Sequence, residues 1–100
     1  MRSIQAHQRA LRAAVYEELT VGAAAVGFQQ LPAGLIKTEF IVRSGPVMLT
    51  ADGSTPTSGF GEDAFDGDRF ELSAHEASRL LAIRQGVTNG VLKAHHFVAV

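Results

Sequence analysis

Five carboxylates fall within ten residues near the middle of the chain, the densest group of possible metal ligands in the sequence. They are Glu62, Asp63, Asp66, Asp68 and Glu71. Carboxylate oxygens are ligands that calcium prefers, but an EF-hand loop needs them at alternate positions, with a bidentate Glu closing the loop. Asp residues beside glycine also form turns through their own side chains. We therefore predict a solvated loop, and leave open whether the loop 62–71 binds calcium.

Histidines are the second possible source of metal ligands, and the chain has four of them: His7, His75, His95 and His96. A zinc site needs three or four ligands that converge with tetrahedral geometry. His95 and His96 are adjacent on a predicted strand, so their side chains point to opposite faces. No pair has HxH or HxxxH spacing. We predict polar histidines on outward faces and no metal site.

Hydroxyl groups are concentrated in the segment Val47 to Gly61, which contains Ser54, Thr55, Thr57 and Ser58. A serine hydrolase of the common α/β type presents its nucleophile in a GxSxG turn, which is missing here. The glycines follow neither GxGxxG nor the Walker pattern for phosphate binding. We predict that the protein is not an enzyme and uses no cofactor.

The composition favours one globular domain. The chain has 100 residues, 46% of them hydrophobic, no cysteine and a net charge of -1. Such a charge provides no basic field that would attract nucleic acid or an anionic membrane. No apolar stretch is long enough to span a bilayer or to act as a signal peptide. We expect a protein made in a cytoplasm.

The elements that position these residues begin with a polar, Arg-rich head. We predict that residues 1–14 form an N-terminal arm and that residues 15–100 form a single domain. Leu11, Val15 and Leu19 repeat at i+4, which is typical of a helix. We expect the arm to be helical or extended depending on what it contacts. The segment 19–31 contains two glycines and favours a strand with a bend.

Short apolar runs alternate with turn residues through the rest of the chain. The runs 37–45 and 46–53 are predicted to form one hairpin, and 79–86 and 91–100 a second one, joined by Asn89-Gly90. Between them we predict a strand from Arg69 to Leu72, followed by one helical turn. Turn signals about every ten residues predict an all-β, antiparallel β-sandwich, immunoglobulin-like or jelly-roll-like, with about six to eight short strands.

Two segments, 22–28 and 95–100, are apolar at both alternating positions. Strands of that kind are usually covered on both faces. The cover is either the protein's own core, in which case both are central strands, or another protein or copy of the chain. Both alternatives remain open.

The segment Met48 to Thr57 resembles a strand-turn pattern in the immunoglobulin-like domains of the chitobiase C-terminal type, through its "DGSTPT" residues. This resemblance implies a carbohydrate-binding or adhesion module. Sugar platforms usually present flat aromatic rings, and the chain has one Tyr and no Trp.

A broader resemblance covers most of the chain and is to small structural proteins of tailed bacteriophage virions. It is carried by the segments "LTVG" and "AVGF", by Asp52-Gly53 with Pro56-Thr57, by "DRFEL" and by "IRQG". The resemblance implies a capsid decoration or cement protein that binds neighbouring major capsid subunits. A neck or tail protein is the second choice. It implies a location in the virion after assembly in the host cytoplasm.

We expect the partners to be the major capsid protein or other virion proteins. We also expect a homo-oligomer, with a trimer favoured, and neither nucleic acid nor membrane as a partner. The residues expected to make contacts are Ile4, Leu11, Val15, Phe28, Asp52, Gly53, Pro56 and Phe97.

Overall fold

The computed structural model describes residues 10–100. Ile4 and His7 therefore lie outside the described residues. The described chain forms seven antiparallel strands in two sheets and one short helix. The predicted all-β antiparallel sandwich is confirmed, with a strand number inside the predicted range.

The larger sheet contains four strands in the order β1-β7-β2-β5. Their bounds are Leu11–Val21 for β1, Leu35–Ser44 for β2, Arg69–Ser73 for β5 and Gly90–Ala99 for β7. All neighbouring pairs are antiparallel, and β1 has an irregularity between Ala13 and Val15. Strand β7 is central and alternates strictly between buried and more exposed residues. This is the period of two expected for a strand with only one face in the core.

The smaller sheet contains three strands in the order β4-β3-β6. Their bounds are Glu62–Ala64 for β4, Val47–Thr50 for β3 and Leu81–Arg84 for β6. Helix α1, Ala74–Arg79, follows β5 directly. The side chain of Ser73 accepts a hydrogen bond from the backbone N–H of Glu76, and Glu76 accepts one from the N–H of Ser73. This is the capping box that the sequence pattern indicates.

The hydrophobic core lies between the inner faces of the two sheets. Phe40, Val42 and Leu92 contribute from the larger sheet, and Val47 and Leu49 from the smaller one. All five have less than a tenth of their surface exposed. Burial of this apolar surface is the main stabilising contribution that holds the two sheets together.

Both predicted hairpins are wrong, because the chain changes sheets at each of those turns. Strand β2 belongs to the larger sheet, while β3 pairs with β4 and β6 in the smaller one. Likewise, β6 pairs with β3, and β7 pairs with β1 and β2. The first corner contains Ser44 and Gly45, both at positive φ, and a cis peptide bond before Pro46. The glycine tolerates this left-handed backbone without steric strain.

Two other predictions require correction at the N-terminal side. Residues 11–14 belong to β1 and not to an arm, and the i+4 repeat lies on a strand. Pairing with β7 along its whole length is a tertiary contact, which overrides the local helical pattern. The segment 22–28 is mostly irregular. It joins the smaller sheet by a bridge from Val26 to Ala82 and by a hydrogen bond from the N–H of Arg84 to the carbonyl of Gly22.

Candidate functional site

A chain of three polar side chains lies inside the sandwich, on the inner face of the larger sheet. Glu17, Thr38 and His96 occupy neighbouring strands, and each has at most 3% of its surface exposed. The Oγ1 of Thr38 lies 2.7 Å from Nδ1 of His96, and Nε2 of His96 lies 2.9 Å from Oε1 of Glu17. The order hydroxyl, imidazole, carboxylate is that of a hydrolytic triad.

The burial of this triad argues for a structural role, since a nucleophile must contact its substrate. Glu17 also accepts hydrogen bonds from the backbone N–H groups of Gln29 and Gln30, at 2.8 and 3.2 Å. The carboxylate therefore links β1 to the segment after it. Phe28 packs edge-on against His96, with ring centroids 5.0 Å apart. Buried polar groups that are fully hydrogen-bonded give a core a unique arrangement.

The prediction of outward-facing histidines is wrong for His96 and correct for His95. The two rings point to opposite faces, as expected for neighbours on one strand, and His95 is exposed. The sequence contained the alternation but no indication of which histidine would be inside. That was decided by Glu17 and Thr38, the partners on the adjacent strands.

The predicted contact residues of the hydroxyl-rich loop form a corner. The carboxylate of Asp52 accepts hydrogen bonds from the N–H and the hydroxyl of Ser54. These two bonds hold the pKa of Asp52 below its ordinary value, and the bond from the hydroxyl has the larger effect. Gly53 has φ of 87°, while Pro56 is buried. Pro56 is thus part of the packing, and Asp52 and Gly53 remain at the surface.

The structure brings Leu11 and Phe97 together but separates them from the other predicted contact residues. Leu11 pairs with Ala99, and Ala13 pairs with Phe97. Paired residues of adjacent strands share a face, and this one is the face away from the core. We call Leu11, Ala13, Phe97 and Ala99 the terminal patch.

Two further predicted contact residues point the other way. Val15 pairs with the buried His96 and therefore lies on the inner face. Phe28 packs against the core, with its ring 5.8 Å from that of Phe40. Neither side chain belongs to the outer face on which the terminal patch lies.

A groove of about 460 Å³ crosses the outer face of the larger sheet next to the terminal patch. Tyr16 and His95 form one end, with ring centroids 5.0 Å apart, and Ile41 lies in its floor. Lys93 and Arg69 lie on the two strands that flank Ile41, directly opposite it. No sequence pattern indicated this groove, since its residues come from four separate strands.

Charges along the groove are only partly paired. Glu39 and Glu71 are opposite each other, and Lys37 contacts both carboxylates, at 2.7 and 3.7 Å. The hydrogen bond to Glu39 raises the pKa of Lys37. The hydroxyl of Tyr16 donates to Glu18 at 2.8 Å, and this bond raises the pKa of Tyr16.

The acidic loop makes turns through its side chains. Asp66 accepts a hydrogen bond from the N–H of Ser44, and Asp68 accepts one from the N–H of Phe65. Asp63 accepts one from the side chain of Gln85. Within residues 10–100, no group of three or more His, Asp or Glu side chains converges as a metal site would require.

In the described part of the chain, no helix is long and apolar enough to cross a membrane. Comparison with known proteins finds no matching family model, no matching curated protein and no matching solved structure.

Proposed function

We propose that this protein is a non-enzymatic structural component of a tailed phage virion, a decoration or cement protein that binds neighbouring capsid subunits. The sequence resemblance suggests the class of protein. The observation that supports a binding role is the terminal patch on the outer face of the larger sheet. The sandwich provides the rigid support for that surface.

The terminal patch has the composition of a small protein interface. Leu11, Ala13, Phe97 and Ala99 form its apolar part. The ammonium group of Lys37 lies 5.3 Å from the centroid of the Phe97 ring. Aromatic residues at the centre with charged residues at the rim are typical of protein interfaces.

The open edge of β1 lies beside the terminal patch. This edge strand has 11 residues and, among the described residues, pairs with β7 alone. The other edges are less accessible, because β4 has three residues, β5 has five, and β6 is bridged by Val26. A long unpaired edge readily accepts another extended segment. The patch and the edge together offer a capsid subunit both apolar and main-chain contacts.

The first test is co-sedimentation of the purified protein with assembled capsids of the virus that encodes it. Phe97→Ser and Leu11→Ser should each reduce capsid binding, because each removes apolar surface at the contact. Val87→Ser is the matched control, since Val87 is 91% exposed and lies in the loop before β7, at the opposite end of that strand from the patch. Circular dichroism confirms that the variants fold. Undiminished binding by both patch variants, or no binding by the parent protein, contradicts the proposal.

A second test concerns the assembly of the protein itself. The solution mass of the isolated protein distinguishes the expected trimer from a monomer or from a ring of other order. A ring would place the protein at the neck rather than on the head. A truncated variant should lack residues 1–9 at most, because removal of residues 11–14 deletes part of β1 and disturbs the sheet.

A further inference from the structure

The groove on the outer face combines three kinds of group that a solvated sheet face does not require. It has an aromatic end, an apolar floor and two cations that form no ion pair with any described residue. Its volume of about 460 Å³ lies in the range of small-ligand sites. It is open to solvent and therefore accessible to a flexible ligand.

The two cations are placed to converge on one anionic group. Arg69 and Lys93 lie on β5 and β7, on either side of Ile41. Because β2 lies between these two strands, the backbones of Arg69 and Lys93 are two strand spacings apart, about 10 Å. Both long side chains can therefore extend over Ile41. Glu18 lies opposite Lys93 but accepts a hydrogen bond from Tyr16 instead.

The aromatic end is fixed before a ligand arrives. The hydrogen bond from Tyr16 to Glu18 restrains the phenol ring, which is 48% exposed, and the His95 ring lies against it. Exposed rings held in place are suited to the apolar face of a sugar ring. The carboxylates of Glu39 and Glu71, at the same level of the sheet, can accept hydrogen bonds from sugar hydroxyls.

We propose that this groove is a binding site for an acidic oligosaccharide. The carboxylate of the ligand lies between Arg69 and Lys93, and a sugar ring packs against Tyr16 and His95. A simple anion would make no contact with the two rings of the groove. A neutral sugar would leave the two cations without one. The site is independent of the proposed attachment to capsids, since it uses other residues than the terminal patch.

The test is an NMR titration of the full chain with tetragalacturonate, compared with maltotetraose and with a tetraglutamate peptide. We expect saturable binding of tetragalacturonate, with amide shifts at the groove. Arg69→Gln and Lys93→Gln should each weaken it by about tenfold, the loss for one charge-assisted hydrogen bond. Tyr16→Ala should weaken it by about fivefold. Arg84→Gln, on the other sheet, is the charge-matched control and should bind as the parent does.

Four outcomes overturn the inference. Tetragalacturonate fails to bind saturably at millimolar concentration, or Arg84→Gln weakens binding as much as the groove variants do. Equal affinity for tetraglutamate shows that the groove selects an anionic protein segment and not a sugar. Equal affinity for maltotetraose shows that the cations are not used.

Discussion

Replacing Glu17 by Gln should destabilise the fold by about 2 kcal/mol, because its buried carboxylate is the hydrogen-bond partner of the His96 ring and of two backbone N–H groups. Oε1 lies 2.9 Å from His96 Nε2 and 3.2 Å from the N–H of Gln30, and Oε2 lies 2.8 Å from the N–H of Gln29. An amide has one acceptor oxygen, and its NH₂ group must then face a donor. At least one of these buried or partly buried groups then loses a hydrogen bond, which costs about 1–3 kcal/mol.

The measurement is urea unfolding of the parent protein and of Glu17→Gln. A domain of this size is stable by roughly 5–15 kcal/mol, so the variant should still fold and unfold with the same denaturant dependence. Glu18→Gln is the matched control: it makes the same chemical change on the outer face of the same strand, and it should alter stability by less than about 0.5 kcal/mol.

Amide hydrogen exchange identifies where the loss occurs. In Glu17→Gln the amides of Gln29 and Gln30 should exchange faster, because the segment after β1 loses its link to the sheet. The reasoning is refuted if Glu17→Gln and Glu18→Gln unfold alike and the two amides exchange as in the parent protein.

Three other substitutions probe local features. Ser54→Ala should move the pKa of Asp52 up toward its ordinary value in an NMR titration. Because the pKa of Asp52 is lower in the folded protein than in the unfolded chain, ionised Asp52 stabilises the fold above its unfolded-state pKa. This stabilisation is lost as the pH falls through its folded-state pKa. An unchanged titration would show that the Ser54 hydroxyl is not the cause. Gly90→Ala should cost about 1–3 kcal/mol in urea unfolding, because its Cβ would collide with Val47; wild-type stability would contradict this close approach. Ser73→Ala should cost about 1 kcal/mol through the lost cap, and no loss would show that the cap contributes little.

Local signals were sufficient for some elements. The strand before helix α1 and its capping box follow from adjacent residues, Arg69 to Leu72 and then Ser73 with Glu76, and the structure confirms both. Phe40 and Val42 likewise alternate with polar or less buried neighbours along β2, and both lie in the core. Interactions of this kind involve residues within a few positions of each other, so the sequence contains the whole signal.

No such local signal existed for which strands pair with each other in the two sheets. Turn residues at 44–46 and at Asn89-Gly90 are as suitable for a corner between sheets as for a hairpin. The difference depends on which strand completes the neighbouring sheet, and thus on contacts between residues far apart in the chain. The same reason explains the N-terminal part, where pairing with β7 made a strand of residues with a helical repeat.

The amino-acid sequence by itself determined the fold class of this protein, which is all-β, with turns at the Asp-Gly and Asn-Gly positions. It also determined the alternation that places His95 and His96 on opposite faces. Only the tertiary structure decided that His96 is the buried one, and that Leu11 and Phe97 share the outer face of adjacent strands. It also decided that Arg69 and Lys93 both lie opposite Ile41. Alternation is a property of one strand, whereas burial and site geometry arise from strand order and register. These are set by packing of the whole core.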